Sequence, residues 1–257
     1  MVLKPSPDFS PMLDRASPAH PAVVWHDLEC GSYHADLQLW RELADAHPAG
    51  AILDIGAGSG RVALDLARRG RRVIALDRDP VLLAALRRRG GDLELQTICA
   101  DARSFALPRE ELIALCIAPM QTVQLLGGSA GRSAFLRQAR AHLRPGGLLA
   151  CALVIEIEPF DCTDGGPGPS PELCRIDGVR YTSQATRVEA KRHTIVIERQ
   201  RRIGDSPVIE HDLIELDRIG AAELEREGIA AGLRPAPGRR IPTTADHAGS
   251  DVVMLHV

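Results

Sequence analysis

The run Asp54-Ile55-Gly56-Ala57-Gly58-Ser59-Gly60 lies between an apolar stretch, Ala51 to Ile55, and a segment of helical periodicity, Arg61 to Arg69. Glycine permits backbone angles closed to other residues and removes the Cβ that would block a ligand. A helix starting directly afterwards adds unpaired N–H groups and a field that favours a carboxylate or hydroxyl nearby. A GxGxG run alone is a weak signal, and its strand–turn–helix setting strengthens it. Asp77 stands 21 residues beyond Gly56, after the apolar stretch Val73 to Leu76. There a carboxylate can accept hydrogen bonds from both hydroxyls of a ribose. The structural alternative is that Asp77, or Asp79 beside it, caps the next helix. A dinucleotide fingerprint places a glycine three positions after its second one. Counting from Gly58 reaches Arg61 instead, so the match to a nicotinamide site is poor.

Other residues with chemical potential lie on either side. Trp25-His26-Asp27-Leu28-Glu29-Cys30-Gly31-Ser32-Tyr33-His34 combines scarce aromatics with polar groups. His26, Cys30 and His34 are spaced four apart, which would align metal ligands on a continuous helix. Gly31 interrupts that helix and no fourth ligand is evident, so no metal site is expected. Glu156 and Glu158 follow a long apolar stretch, and either can orient an amine or accept a proton, or simply be solvated. His211-Asp212 is a further acid–base pair, although neighbours on a strand point to opposite faces.

The elements that must position these groups alternate. Strands are expected at Ala51 to Ile55, Val73 to Leu76, Leu93 to Ile98, Leu112 to Ile117 and Leu148 to Ile155. Helical patterns separate them: Arg61 to Arg69, Val81 to Arg89 behind Pro80, and one whose face carries Phe135, Leu136, Ala139 and Leu143, ending at Pro145-Gly146-Gly147. Repeated βα order calls for a mostly parallel sheet covered by helices on both faces, with ligands at the carboxyl edge of the strands. After Ile155 the rhythm changes: a Gly/Pro loop spans 159–171, and Val179 to Val188, His193 to Arg201 and Val208 to Leu216 read as antiparallel strands. A helix over 221–230 and a strand Val252 to Val257 close the chain. The expected organisation is a flexible leader (1–22), a helical cap (23–49), a cofactor-binding core (50–155), an inserted substrate lobe (156–216) and a C-terminal completion of the core (217–257).

Bulk properties narrow the function. The 257 residues carry 31 Lys and Arg against 34 Asp and Glu, a formal charge of −3, which offers no global attraction to a polyanion, so no nucleic-acid partner is expected. Arginines at 68, 69, 71 and 72 and at 87–89 fall at expected helix ends, where they oppose the dipole and cover apolar surface. Without an apolar span long enough for export or membrane crossing, a cytoplasmic location and no membrane partner are expected. Cys162 and Cys174 flank the Gly/Pro loop, but a cytosolic setting argues against a disulfide.

Asp54 to Gly60, Asp77 after the second strand and Ala100-Asp101-Ala102 after the third resemble the successive motifs of class I S-adenosylmethionine-dependent methyltransferases of small-molecule type. The resemblance covers about residues 50–155 and extends loosely to the last helix and strand. It implies a three-layer α/β fold with a seven-stranded, mostly parallel sheet, and S-adenosyl-L-methionine as cofactor. It implies that Asp54, Gly56, Ala57, Gly58 and Gly60 approach the methionine and ribose, Asp77 the ribose hydroxyls and Asp101 the adenine amino group, with Arg78 and Ala102 lining the adenine slot. Ala118-Pro119-Met120-Gln121 resembles the loop under the sulfonium end, placing Ala118 and Met120 in the cofactor set, and Tyr33 belongs to a segment that in similar enzymes folds over the cofactor. The expected reaction is in-line transfer to a small N- or O-nucleophile, with His34, Glu156 and His211 as candidate bases. The acceptor itself stays open, as does the assembly, for which a homodimer is one form. Two other readings remain: a noncatalytic S-adenosylmethionine-binding regulatory or partner protein, and a nicotinamide-dependent oxidoreductase.

Overall fold

The computed structural model describes residues 20–108, 111–154, 156–244 and 247–257. They divide into two compact units, one of residues 20–32 with Ile157–Leu216, the other of Tyr33–Glu156 with Asp217–Val257. Residues 1–19 of the expected leader lie outside the described residues, and the helix begins already at Pro21 rather than after 22.

The larger unit is a seven-stranded sheet between two helical layers. Its strands are β1 (Ala51–Ile55), β2 (Val73–Asp77), β3 (Leu95–Cys99), β4 (Ile113–Ala118) and β5 (Leu143–Val154). The last two, β11 (Arg234–Ile241) and β12 (Ser250–His256), follow the small unit in sequence. The order is β11-β12-β5-β4-β1-β2-β3. Pairings among β1 to β5 are parallel, and β12 runs antiparallel to both β5 and β11. Every residue of β1 and β4 is buried, the near-continuous apolar composition that parallel strands covered on both faces require.

Alternate strand residues feed two cores. Ile52, Val73, Ala75, Leu115 and Ile117 pack with α2 (Leu37–Ala46), α3 (Arg61–Arg68) and α4 (Pro80–Gly90). Leu53, Ile55, Ile74, Leu76 and Cys116 face Phe135, Leu136 and Ala139 of α5 (Gly128–His142) and Leu224 of α6 (Ala221–Ala230). Each fully buried leucine or isoleucine in these layers contributes roughly 1.5–3 kcal/mol relative to exposure. Pro80 pre-sets the first turn of α4, and the Asp79 carboxylate caps it by accepting from the N–H groups of Val81 and Leu82 at 2.8 and 3.3 Å. The cap is therefore Asp79, which leaves Asp77 for another task.

Three expectations are corrected here. Helix α5 stops at His142, and Leu143 already pairs with Ile113 of β4, so the Arg144 to Gly147 turn is a bulge within β5 rather than the end of the helix. Strand β11 was not foreseen because Arg234-Pro235-Ala236-Pro237-Gly238 carries no apolar alternation. As the outermost strand it tolerates proline, and its register shifts between Ala236 and Arg239. Strands β6 (Phe160–Asp161) and β7 (Glu172–Ile176) likewise add to the foreseen three in the small unit.

In that smaller unit β8 (Val179–Ala190) pairs antiparallel with β6, β7 and β9 (Thr194–Ile203), and β10 (Glu210–Asp217) follows β9. Helix α1 (Pro21–Cys30) lays Val24, Trp25 and Leu28 against Cys174, Ile176, Tyr181 and Ile203. Glu29 of the same helix accepts from Ser183 Oγ and from both Nε and Nη2 of Arg201, each at 2.7 Å. The helical cap, whose pattern allows one or two pieces broken near Gly31 and Ser32, is two helices, α1 within the small unit and α2 within the large one. Among the described residues no helix is long and apolar enough to cross a membrane.

Candidate active site

The turn after β1 holds Gly56, Gly58 and Gly60 at φ of 69°, 53° and 103°, the left-handed region that L side chains avoid. Close approach adds to the demand: a Cβ on Gly56 would meet Thr122 Cγ2 at 2.7 Å, and one on Gly60 would overlap Leu86 Cδ1. The N–H groups of the turn itself, ahead of the helix start, are engaged within the protein. Gly56 and Ala57 donate to the Leu76 carbonyl at 2.8 and 3.0 Å, Gly60 to the Ala57 carbonyl at 3.0 Å, and Gly58 to Asp77 Oδ2 at 2.8 Å. The glycines serve shape rather than donation.

Asp77 closes the strand edge from the other side. Its second oxygen accepts the Asp79 N–H at 2.9 Å, so two backbone groups hold the carboxylate at the tip of β2. Asp101 follows β3 and receives a forked bond from Arg103, whose Nη2 lies 2.6 Å from Oδ2; that bond holds its carboxyl below the ordinary range. Ala102 is buried next to it, and Arg78 is exposed. Ala118 ends β4 fully buried, and Met120 adopts φ 55° while packing partly against the α2–α4 core.

Asp54 is the unusual group. It is 1% exposed, and neither carboxylate oxygen has a hydrogen-bond partner. Burial pushes its pKa up to about 8; Arg61 opposes the shift, while Asp77 and Asp36 add to it. A buried polar atom without a partner is costly and rare, and it calls for a functional explanation.

Arg61, the residue standing where a dinucleotide glycine belongs, turns out to organise this region. It is buried, with Nη1 and Nη2 on the two Asp36 oxygens at 2.5 and 2.7 Å and a further bond from Nη1 to the Tyr33 carbonyl at 2.7 Å. Trp40 Nε1 donates to Asp36 at 2.8 Å. The guanidinium also lies 5.1 Å from the Tyr33 ring centroid, whose other neighbour is His247 at 4.9 Å, edge on. Tyr33 is buried, and burial raises its hydroxyl pKa. Sequence reasoning missed Asp36 entirely. The available signal was Asp36 four residues before Trp40, at the head of an amphipathic helical stretch, together with a charge at Arg61 where the pattern demands burial.

The candidate bases are less organised. His34 and Glu156 are exposed on the large unit, and His211 is exposed on β10 of the small one. His26 and Cys30 lie on α1, which ends before His34, and the described residues include no cluster of three or more side chains suited to a metal ion.

Residues 52–147 match the family model described as a methyltransferase domain. Over that stretch the chain resembles a methyltransferase domain, and the larger unit has the α/β methyltransferase fold. Over 124 residues, 47% of the chain, it is 32% identical to a probable cobalt-precorrin-6B C(15)-methyltransferase (decarboxylating) from Methanothermobacter thermautotrophicus. That match spans 62% of the relative, a little under two thirds of its length. Among solved structures, the methyltransferase fold superposes on CalS10, an amino pentose methyltransferase of Micromonospora echinaspora solved with S-adenosylmethionine bound. The TM-score is 0.65 at 23% identity, covering 91% of this chain and 95% of that one. The sugar N-methyltransferase KedS8 of a Streptoalloteichus species gives 0.70 at 15% identity, covering 100% and 99%. The nicotinamide reading, already poor at Arg61, gains nothing from these matches.

The residues of the methyltransferase domain suit its cofactor. A buried carboxyl with two unpartnered oxygens fits a cationic ammonium, and the Asp77 carboxylate at the β2 tip fits vicinal hydroxyls.

Proposed function

We propose that this protein transfers the methyl group of S-adenosylmethionine to a nitrogen or oxygen of a small molecule, and that amines on sugars are the acceptor class to test first. The observation that supports the reading best is the unpartnered, buried Asp54 beside a glycine turn and Asp77, a strand edge built for a cationic, ribose-bearing ligand. The acceptor class rests on likeness in fold to amino-sugar methyltransferases across nearly the whole chain, small sheet included.

When bound, the cofactor supplies an already activated methyl group, so alignment and exclusion of water account for much of the rate. Asp54, the Gly56 to Gly60 turn and Met120 would hold the methionine end, and Asp77, Arg78, Asp101 and Ala102 the nucleoside. An amine acceptor that took this methyl group would have one proton to lose from nitrogen. His34, Glu156 and His211 are proposed acceptors for that proton. A cytoplasmic protein acting on a small molecule, without nucleic-acid or membrane partners and with a homodimer as one assembly, completes the reading.

The test is incubation with methyl-labelled S-adenosylmethionine and a panel of amino sugars, hydroxylated sugars and a metabolite extract, followed by mass analysis. Labelled amine products support the proposal. Cofactor binding with no labelled product across the panel would instead favour a noncatalytic S-adenosylmethionine-binding protein.

A further inference from the structure

The buried carboxyl at the end of β1 poses a problem of charge that the rest of the site does not solve. Asp54 faces Arg61 from α3, Asp77 from β2 and Asp36 from the segment before α2, and its own charge is felt at the Cys116 thiol of β4. Only Arg61 among these is cationic, and both its terminal nitrogens sit on the Asp36 carboxylate at 2.5 and 2.7 Å. The pair is close to neutral, Asp77 adds a second negative charge, and the Ala63 N–H at the start of α3 offers the charged form little help. Charge on Asp54 would meet no hydrogen bond beyond that weak help from Ala63, and two like charges nearby.

We propose that Asp54 is protonated in the cofactor-free domain and releases that proton as the amino-acid ammonium of the cofactor arrives, so that cofactor affinity rises with pH. The inference rests on the methyltransferase reading of the site. The O–H bond of the carboxyl breaks, the proton passes to buffer, and the carboxylate so formed pairs with the ammonium. The same group thus acts as a proton-linked gate on cofactor binding.

The balance is quantitative. With half-ionisation near 8, about nine tenths of the Asp54 carboxyls carry a proton at pH 7, so binding there releases about 0.9 proton. Apparent affinity falls by the fraction of binding-competent carboxylate, which makes it about 25-fold tighter at pH 7.5 than at pH 6.

Titration calorimetry of the full chain with S-adenosylhomocysteine, at pH 7 in phosphate and in Tris, reads the proton count directly, because the two buffers take up a proton with different heats. The expected result is about one proton released and the stated pH dependence. Equal heats in both buffers with a flat affinity between pH 6 and 7.5 would overturn the proposal while leaving the cofactor site intact. No binding in either buffer would overturn the methyltransferase reading itself. Asp54→Asn mimics the protonated carboxyl and should keep the fold; proton release that persists in it refutes the assignment to Asp54. Urea titrations without cofactor serve where that variant binds too weakly. The native chain should lose stability relative to Asp54→Asn from pH 6 to 7.5, and parallel curves would refute a buried proton.

Discussion

Replacing Asp36 by alanine should cost about 4 kcal/mol of folding stability, a large share of the roughly 5–15 kcal/mol that holds a typical domain together. Asp36 is fully buried, takes both terminal nitrogens of Arg61 and accepts Trp40 Nε1–H at 2.8 Å. Breaking a buried ion pair from one side leaves the other charge uncompensated, which alone costs roughly 3–5 kcal/mol. The orphaned indole N–H adds roughly 1–3 kcal/mol, partly overlapping with the first figure. Urea unfolding at pH 7 measures the sum: with a slope of about 2 kcal/mol per molar, the midpoint should fall by about 2 M with the slope unchanged. Asp36→Asn keeps an acceptor for Trp40 but removes the charge, and should fall between the two. The decisive variant is Asp36→Leu with Arg61→Met, in which no charge is left buried and most of the loss should return. An alanine variant within about 1 kcal/mol of the native chain, or a double variant as unstable as the two singles added together, would refute the account.

Four further outcomes follow from the geometry. Gly60→Ala at φ 103°, with its Cβ driven into Leu86 Cδ1, should cost about 2 kcal/mol and lower the thermal midpoint; an unchanged midpoint would mean that the turn relaxes freely. Gln124→Leu should cost about 2–3 kcal/mol, because buried Gln124 donates to the carbonyls of Val154 and Asp217 and accepts the Val154 N–H; equal urea midpoints would contradict those bonds. Arg132→Lys should lose about 2 kcal/mol, since a lysine cannot reproduce the fork onto Glu227 together with the bond to Asp217; full stability in the lysine variant would show that charge alone suffices. The raised Asp54 carboxyl makes the folded chain hold more protons than the unfolded one between pH 4 and 8, so it lowers stability as pH rises through that window. At pH 7 the loss is about 4 kcal/mol, and Asp54→Asn should remove that slope in urea midpoints measured from pH 5 to 7.5.

The βα alternation of the first five strands was legible because parallel strands buried on both faces must be apolar throughout, and Ala51–Ile55 and Ile113–Ala118 are. The glycine run and Asp77 were legible for a similar reason: backbone angles near φ 60–100° and a carboxylate at a strand tip leave few alternatives in sequence. Strand β11 was not legible, because an edge strand needs no buried face and its prolines read as a loop. The Asp36–Arg61 pair was invisible for another reason, being formed across 25 residues by two side chains that composition would assign to the surface. His34, Glu156 and His211 stand out by chemical type and by placement before the core or in the inserted lobe, neither of which carries information on burial.

What the turn does with its own hydrogen bonds bears on which ligand it can take. A pyrophosphate needs backbone donors and a positive field. Here the N–H groups of Gly56, Ala57, Gly58 and Gly60 are already engaged, one of them with the Asp77 carboxylate. Around them stand three carboxyls, Asp36, Asp54 and Asp77, against the guanidinium of Arg61, which Asp36 already pairs, and that of Arg89, which donates to the Ser59 carbonyl at 3.2 Å. An anionic dinucleotide would meet repulsion and few donors, whereas a ligand with an ammonium, a sulfonium and two ribose hydroxyls meets a negative field and acceptors. The displaced glycine at Gly60 and the arginine after it are therefore connected. Moving the glycine one place forward lets Arg61 begin α3 and reach Asp36. The same shift that spoils the dinucleotide fingerprint builds the ion pair that leaves Asp54 waiting for a cation.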